Sequence, residues 1–442
     1  MKKQGDGLTL KKESGYVGLA KDKHKKIFAF ADGYKKFLNI ARTDRESIDE
    51  LTIMAQKSGY VPFDKVKYGP KGFSTKKFFI TNRNKSMAFV TIGKRPLSEG
   101  AHVLLSHVDC PRIDIKSTPI YEDGGMCFFK THYYGGIKKF QWISCPMSLH
   151  GVVILKGGKK IKISIGDSPD QPAFMLPDLA IHVSGKIQGE RKYNDVIKGE
   201  ELNLLVGSIP SDTTDEKAKD KVKLHVLELL KSQYGITEKD LISAELSVVP
   251  VAHTQDIGFD ASMIGGYGHD DRACAYTTAM AGFAIDNPEY TSIIYFLDRE
   301  EIGSAGNTSA TSLFISDVFG DILAFEGESG LYQKLRKAMS NSKAISADTT
   351  EAYNPTWKAV FDHLNVPYIN QGTTICKFTG AGGKVGSSEA SSEFMAALID
   401  AFDEAGVKWQ AGGPRKNGRG GGGAAAKKLW PFYKKSNQIE AA

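Results

Sequence analysis

Ile293-Ile294-Tyr295-Phe296-Leu297-Asp298-Arg299-Glu300-Glu301-Ile302-Gly303-Ser304 decides the reading of this chain. Five consecutive apolar residues read as a strand. The run then breaks into acidic residues and glycine, so two adjacent carboxylates are delivered to a strand end, where open α/β sheets do their chemistry. Neighbours on extended backbone point to opposite sides. Glu300 and Glu301 are therefore expected to diverge, one towards a metal and the other towards a water proton. A solvated loop is the alternative for the pair taken alone, and its companions decide between the two.

Ala101-His102-Val103-Leu104-Leu105-Ser106-His107-Val108-Asp109 runs apolar into a His-x-Asp, an arrangement that can hold a metal-facing imidazole in place. Gly265-Gly266-Tyr267-Gly268-His269-Asp270-Asp271-Arg272 sets paired carboxylates beside glycines that permit a close backbone approach. Ala344-Ile345-Ser346-Ala347-Asp348 is another strand-like run ending in an acid. Four separated segments thus each present a His, Asp or Glu at an element end, the pattern of a metallohydrolase. His102, alternating with apolar residues, reads as a satisfied core histidine, and Asp271 and Arg272 as residues that orient their loop by hydrogen bonds and ion pairing.

Several motifs carry a more specific resemblance. His107-Val108-Asp109-Cys110-Pro111-Arg112, Thr131-His132-Tyr133-Tyr134-Gly135-Gly136-Ile137-Lys138-Lys139, Leu176-Pro177-Asp178-Leu179-Ala180-Ile181-His182, Asp270-Asp271-Arg272 and Asp298-Arg299-Glu300-Glu301-Ile302-Gly303 follow one another in an order that resembles the aspartyl aminopeptidase family of co-catalytic zinc exopeptidases, in particular its bacterial branch. The resemblance runs from about residue 25 to about residue 410. It implies an α/β fold: a catalytic domain with a mixed sheet flanked by helices, over 1–117 and 247–410, interrupted by a β-rich oligomerisation domain over 118–246.

The roles implied are as follows. His107 and Asp348 would bind one zinc, Asp270 would bridge two, and Glu301 would bind the second; cobalt or manganese could stand in for zinc. Asp109 would orient His107. Two metals roughly 3.5–4 Å apart acidify a shared water, Glu300 takes its proton as general base, and the first peptide carbonyl is attacked. His182 would reach a neighbouring subunit's substrate, its alternative being a half-buried strand histidine. Lys384, in a Gly-rich loop, would recognise an N-terminal Asp or Glu, its alternative being an exposed lysine. Homo-oligomers built on dimers, up to twelve copies, and peptide substrates follow from the same resemblance.

The chain departs from the family near its end. The family takes a further ligand of the second zinc from a late histidine in a Met-His-Ser context, whereas the last of the ten histidines here is His363. Residues 411–442 carry seven Lys/Arg (Arg415, Lys416, Arg419, Lys427, Lys428, Lys434, Lys435) against one acid, Glu440, and so supply +6 of the chain's +7. A truncated or frameshifted relative with a weakened second metal site is one reading of this. Another is a basic arm, with Trp430, Phe432 and Tyr433, that binds nucleic acid or acidic surfaces.

At 442 residues and 41% hydrophobic content the chain can bury more than one core. Five cysteines without Cys-x-x-Cys spacing argue against a disulfide framework. No apolar run approaches a membrane span, and a cytoplasmic location is expected. Helices are expected through Ile27–Ala41 and after the capping-box residues Thr43-Asp44-Arg45-Glu46, strands at Lys77–Ile80 and Met87–Ile92, and one helix near Thr214–Tyr234.

Overall fold

The computed structural model describes residues 8–10, 12–70, 72–214, 218–327, 329–381, 385–413, 419–420 and 437–441. The chain divides into two compact units, Met1–Asp109 with His269–Ala442, and Cys110–Gly268.

In the first unit a mixed nine-stranded sheet is formed by the described residues. Strand Thr291–Leu297 is antiparallel to Ser86–Thr91 on one side and parallel to the central strand, Ala101–His107, on the other. Ala101–His107 in turn pairs in parallel with Lys343–Ala347. Every residue of Thr291–Leu297 is buried, as the apolar run requires. The period of two divides its side chains between two layers. Ile293, Tyr295 and Leu297 join the core formed with helix Phe314–Phe325 and Met339, where the Tyr295 hydroxyl donates to the Ile315 carbonyl at 3.1 Å. Ile294 faces helix His269–Ala284, which approaches so closely at Gly282 that a Cβ there would lie 2.5 Å from Ile294 Cδ1. A sheet covered on both faces can bury a continuous apolar strand.

The expected elements are present with shifted ends. Helix Lys21–Ile40 is followed by helix Asp44–Lys57, whose N-cap Thr43 accepts from the Glu46 amide. Strands Lys77–Asn82 and Ser86–Thr91 form an antiparallel pair. The helix expected near Thr214–Tyr234 begins at Lys221 and ends where Gly235 takes a left-handed conformation. His102 departs from expectation. It lies near the start of its strand, exposed, with its ring 5.1 Å from that of Tyr290, because alternation on a strand assigns a face and says nothing about what covers it. Asn437–Ala441 forms a strand between Lys343–Ala347, to which it is parallel, and Thr373–Cys376, to which it is antiparallel. Trp430, Phe432, Tyr433 and the basic residues of 411–442 other than Arg419 lie outside the described residues.

The second unit is the β-rich one. Strands Pro146–Ile154, Phe174–Met175, Leu204–Gly207, Met126–Tyr134, Arg112–Asp123 and Glu245–Pro250 follow one another around a sheet that closes when the last pairs back to the first. A seventh strand, Lys160–Ile165, pairs with Pro146–Ile154 alone, so closure removes most of the open edges that invite aggregation. The interior is apolar, with Ile113, Phe129, Met147, Leu149, Val153 and Val248 at its heart. Helix Lys221–Tyr234 packs Val222 and Val226 against the same cluster. All five cysteines are free thiols, and no described helix is long and apolar enough to cross a membrane.

Gly151 is where closure is tightest. It pairs with Ile163 on one side and Leu246 on the other, at φ 137°, and a Cβ would fall 1.9 Å from the Glu245 carbonyl oxygen. Gly151→Ala is therefore expected to destabilise the protein by more than about 1 kcal/mol, since both the conformation and the space exclude a methyl group. A denaturant midpoint equal to that of the parent would contradict this account of the closure.

Candidate metal centre

Strand register levels three strand ends at one edge of the sheet. Leu297 pairs with His107, and Leu105 with Ser346, so the residues following Leu297, those ending at His107 and Asp348 after Ala347 emerge together. A fourth contribution comes from the start of helix His269–Ala284. There Asp270 and Asp271 have non-helical dihedrals and share a cis peptide bond. His107 Nε2 lies 3.3 Å from Asp270 Oδ1 and 3.7 Å from Asp348 Oδ1. One ligand atom from each of the three falls within 4.8 Å of the others.

The imidazole is held from behind. His107 is 2% exposed, and its Nδ1 lies 2.9 Å from the main-chain oxygen of Asp109 and 3.3 Å from that residue's Oδ1. With the proton on Nδ1, the Nε2 lone pair faces Asp270 and Asp348. The Asp109 carboxylate is fully buried and takes on a second task. Its Oδ1 accepts from the Glu300 amide at 3.1 Å and its Oδ2 from the Glu301 amide at 3.2 Å.

The glutamates themselves depart from the expected extended backbone. The strand stops at Leu297, Arg299 adopts a left-handed conformation (φ 67°), and Glu300–Ile302 form one turn of 3-10 helix. The turn points both amides at Asp109, which a strand could not do because successive amides there face opposite ways. Asp298 secures its base, with Oδ2 accepting from the Thr308 hydroxyl at 2.6 Å. No motif in the sequence singles out Thr308.

Electrostatics show a cluster short of positive charge. Burial opposes the charge on His107, but hydrogen bonds to Asp109, Asp270 and Asp348 outweigh it and hold the imidazolium well above its ordinary pKa. Burial likewise opposes ionisation of Asp270, where the bond to His107 and its charge prevail and the carboxyl sits below its usual value. Asp348 is raised by burial, which His107 does not overcome. Glu301 is pushed up to about 8, first by burial and then by the charge of Asp270. Its buried Oε1 has no hydrogen-bond partner. One imidazole among crowded carboxylates, with a buried carboxylate oxygen unsatisfied, is a donor set that suits a divalent cation accepting mixed N/O ligands, zinc included. Among the described residues, His107, Asp270 and Asp348 form the group of three donors, and Glu301 belongs to no second such group.

Other candidates fall elsewhere. His182 lies in the β-rich unit on the short helix Ile181–Ser184, exposed, in place of the half-buried strand position offered as its alternative. Lys384 lies outside the described residues. His269 Nδ1 is 2.8 Å from the Tyr34 hydroxyl. Asp271 is fully buried, and its Oδ2 accepts from the His107 amide at 3.1 Å. The Asp-Asp doublet was a visible signal, but the partner 164 positions away was not.

Comparison with known proteins extends this picture. A family model described as "Aminopeptidase I zinc metalloprotease (M18)" matches residues 37–429. The probable M18 family aminopeptidase 1 of Borrelia garinii subsp. bavariensis is 40% identical over 423 residues, covering 95% of this chain and 91% of its own length. The crystal structure of an M18-family aminopeptidase from Thermotoga maritima superposes with a TM-score of 0.91 at 36% identity, covering 98% of this chain and 93% of that one. At 19% identity, where fold alone is shared, the S. cerevisiae mApe1 dodecamer gives a TM-score of 0.72 over 93% of this chain and 89% of that one.

The titration of the centre predicts its response to pH. His107, through its carboxylate neighbours, and Glu301, chiefly through burial, are both held above their ordinary pKa values, and each would have to give up a proton to ligate a cation. Zinc binding is expected to release protons and to tighten as pH rises towards about 8. Calorimetric titration in two buffers of different ionisation enthalpy measures the release directly. Binding that released none, or that strengthened in acid, would remove these two side chains from the ligand set.

Proposed function

Because the chain belongs to the M18 family of zinc aminopeptidases, we propose that it removes acidic residues, Asp or Glu, from peptide N-termini with two metal ions per subunit. The observation that carries this reading is the meeting of His107, Asp270 and Asp348 from three separate elements within 4.8 Å. In this proposal those three would hold one ion, and Asp270 and Glu301 would hold the second. The second ion would be the weaker, because Glu301 joins no group of three donors among the described residues. Cobalt or manganese would fit the same oxygen-rich donors.

When bound, the metal pair polarises the scissile carbonyl and acidifies a water. This chain's own contribution to the chemistry is proton handling and orientation. Glu300 is the proposed general base and then the proton donor to the leaving amine. It is half-buried, next in sequence to Glu301, and its amide is fixed by Asp109. Asp109 therefore orients two partners at once: His107 through its main-chain oxygen and the glutamate turn through its carboxylate. Preorganisation of this kind keeps the base and the ligands in register while the substrate is exchanged.

Acidic specificity in this proposal falls to Lys384, a cation able to compensate a substrate carboxylate. Assembly into a homo-oligomer belongs to the same reading. The β-rich unit would supply the dimer contact, His182 would act on a neighbouring subunit's substrate, and twelve copies would assemble as in the S. cerevisiae mApe1 structure. Exposed apolar residues beside His182 (Ile181, Val183 and Ile187) support such a contact, since exposed apolar clusters mark interaction surfaces.

Glu300→Gln is expected to lower kcat on an N-terminal Asp or Glu substrate by about 10²–10⁴-fold while metal content per chain stays at the parent value. Turnover that survived the change would remove Glu300 as the base. Elemental analysis of the parent protein tests stoichiometry in the same samples. Two classes of zinc site of unequal affinity are expected, and a chain saturating at one ion with full turnover would overturn the two-metal reading. The Asp/Glu preference is checked by comparing kcat/KM for N-terminal Asp, Glu, Ala and Leu substrates; equal values would refute it.

A further inference from the structure

The metal-facing residues lie on elements that are far apart in sequence, and something must bring them into contact before a metal can. His107 ends a central strand, whereas Asp270 opens helix His269–Ala284. We propose that Asp271 is a positioning residue for the metal centre, its carboxylate tying the end of the His107 strand to the turn that carries Asp270. The inference rests on the reading of His107 and Asp270 as ligands.

The geometry supporting it is local and buried. Asp271 is 0% exposed and its Oδ2 accepts from the His107 main-chain N–H at 3.1 Å. Because the bond is to the main chain, it sets the height of the strand end relative to the turn and leaves the imidazole free to face Asp270 and Asp348. The other carboxylate oxygen of Asp271, Oδ1, is buried with no hydrogen-bond partner among the described residues, so the His107 N–H is the contact that aims the group. On the other side of Asp271, the buried Arg272 donates from Nη2 to the Arg42 carbonyl at 3.1 Å. The turn carrying Asp270 is thereby pinned to the His107 strand by one residue and to the segment between the first two helices by the next.

The helix does not need this bond to stay on the sheet. Ala275 and Ala279 are fully buried, and Gly282 lies against Ile294 further along the same helix. Apolar packing of that extent fixes the helix body, whereas placing its first turn to within a few tenths of an ångström requires a directional contact. A carboxylate is a costly group to bury beside Asp270 and Asp348, so its place there points to the contact it makes; an apolar residue would leave the buried His107 N–H without an acceptor.

The test separates positioning from folding by reading zinc affinity and stability separately. Parent protein, Asp271→Asn and Asp271→Leu are each stripped of metal. Zinc affinity is then measured by competition with a chromophoric chelator, and the metal-free Tm by calorimetry. Asp271→Leu, of similar shape and without an acceptor, is expected to bind the tighter zinc about 10–100-fold more weakly while the metal-free protein still unfolds in one cooperative transition, its Tm lowered only by the lost hydrogen bond. Asp271→Asn, which keeps an acceptor oxygen, is expected to recover most of that loss.

Asp271→Leu retaining parental affinity would overturn the proposal. So would equal losses in Asp271→Asn and Asp271→Leu, which would assign the effect to charge. Should the Leu chain not fold, Asp271→Ser, too short to reach the amide, takes its place with the same expected loss. A parent protein that binds no zinc would instead refute the reading of the metal ligands, an outcome distinct from all of these.

Discussion

Parallel pairing of Ala101–His107 with both Thr291–Leu297 and Lys343–Ala347 is the constraint on which the centre depends. Parallel strands end on the same side, so their C-terminal residues can share one small volume although they come from distant parts of the chain. A slip of one residue in either ladder would turn every side chain of that strand to the opposite face. The buried residues on both faces of Thr291–Leu297 make such a slip costly, because one face packs against helix Phe314–Phe325 and the other against helix His269–Ala284. Precision at the polar edge is thus enforced by apolar packing at the middle of the sheet.

Behind the metal-facing atoms lies a layer of carboxylates whose partners are backbone amides. Asp109 receives the amides of Glu300 and Glu301, and Asp271 receives that of His107. Both are fully buried. Hydrogen bonds to main chain position whole turns and strand ends, whereas bonds to side chains position single groups, so two buried acids can align the His107 strand end, the glutamate turn and the start of helix His269–Ala284. Carboxylates thus serve both layers, aligning main chain behind and offering oxygen donors in front.

The family-level outline was legible because it rests on short-range pattern. An unbroken apolar run followed by acids marks a buried strand and its functional end. The Thr43 cap is written as a four-residue pattern. Particular readings failed where a local rule met a tertiary demand. Extended backbone at Glu300-Glu301 gave way to a 3-10 turn because Asp109 requires both amides on one side. His102 kept the expected alternation but lies exposed against Tyr290.

What the sequence determined by itself was therefore which side chains are available and at which element ends they stand: His107, Asp109, Asp270, Glu300, Glu301 and Asp348, each recognisable beside an apolar run or a glycine turn. Only the tertiary structure decided that His107, Asp270 and Asp348 approach within 4.8 Å, that Asp109 turns its carboxylate to the glutamate amides, and that Asp271 grips the His107 strand. The reason is physical. Periodicity is a property of a few neighbouring residues, whereas the choice of strand partner is made by burial summed over a whole sheet, between segments as far apart as His107 and Asp348.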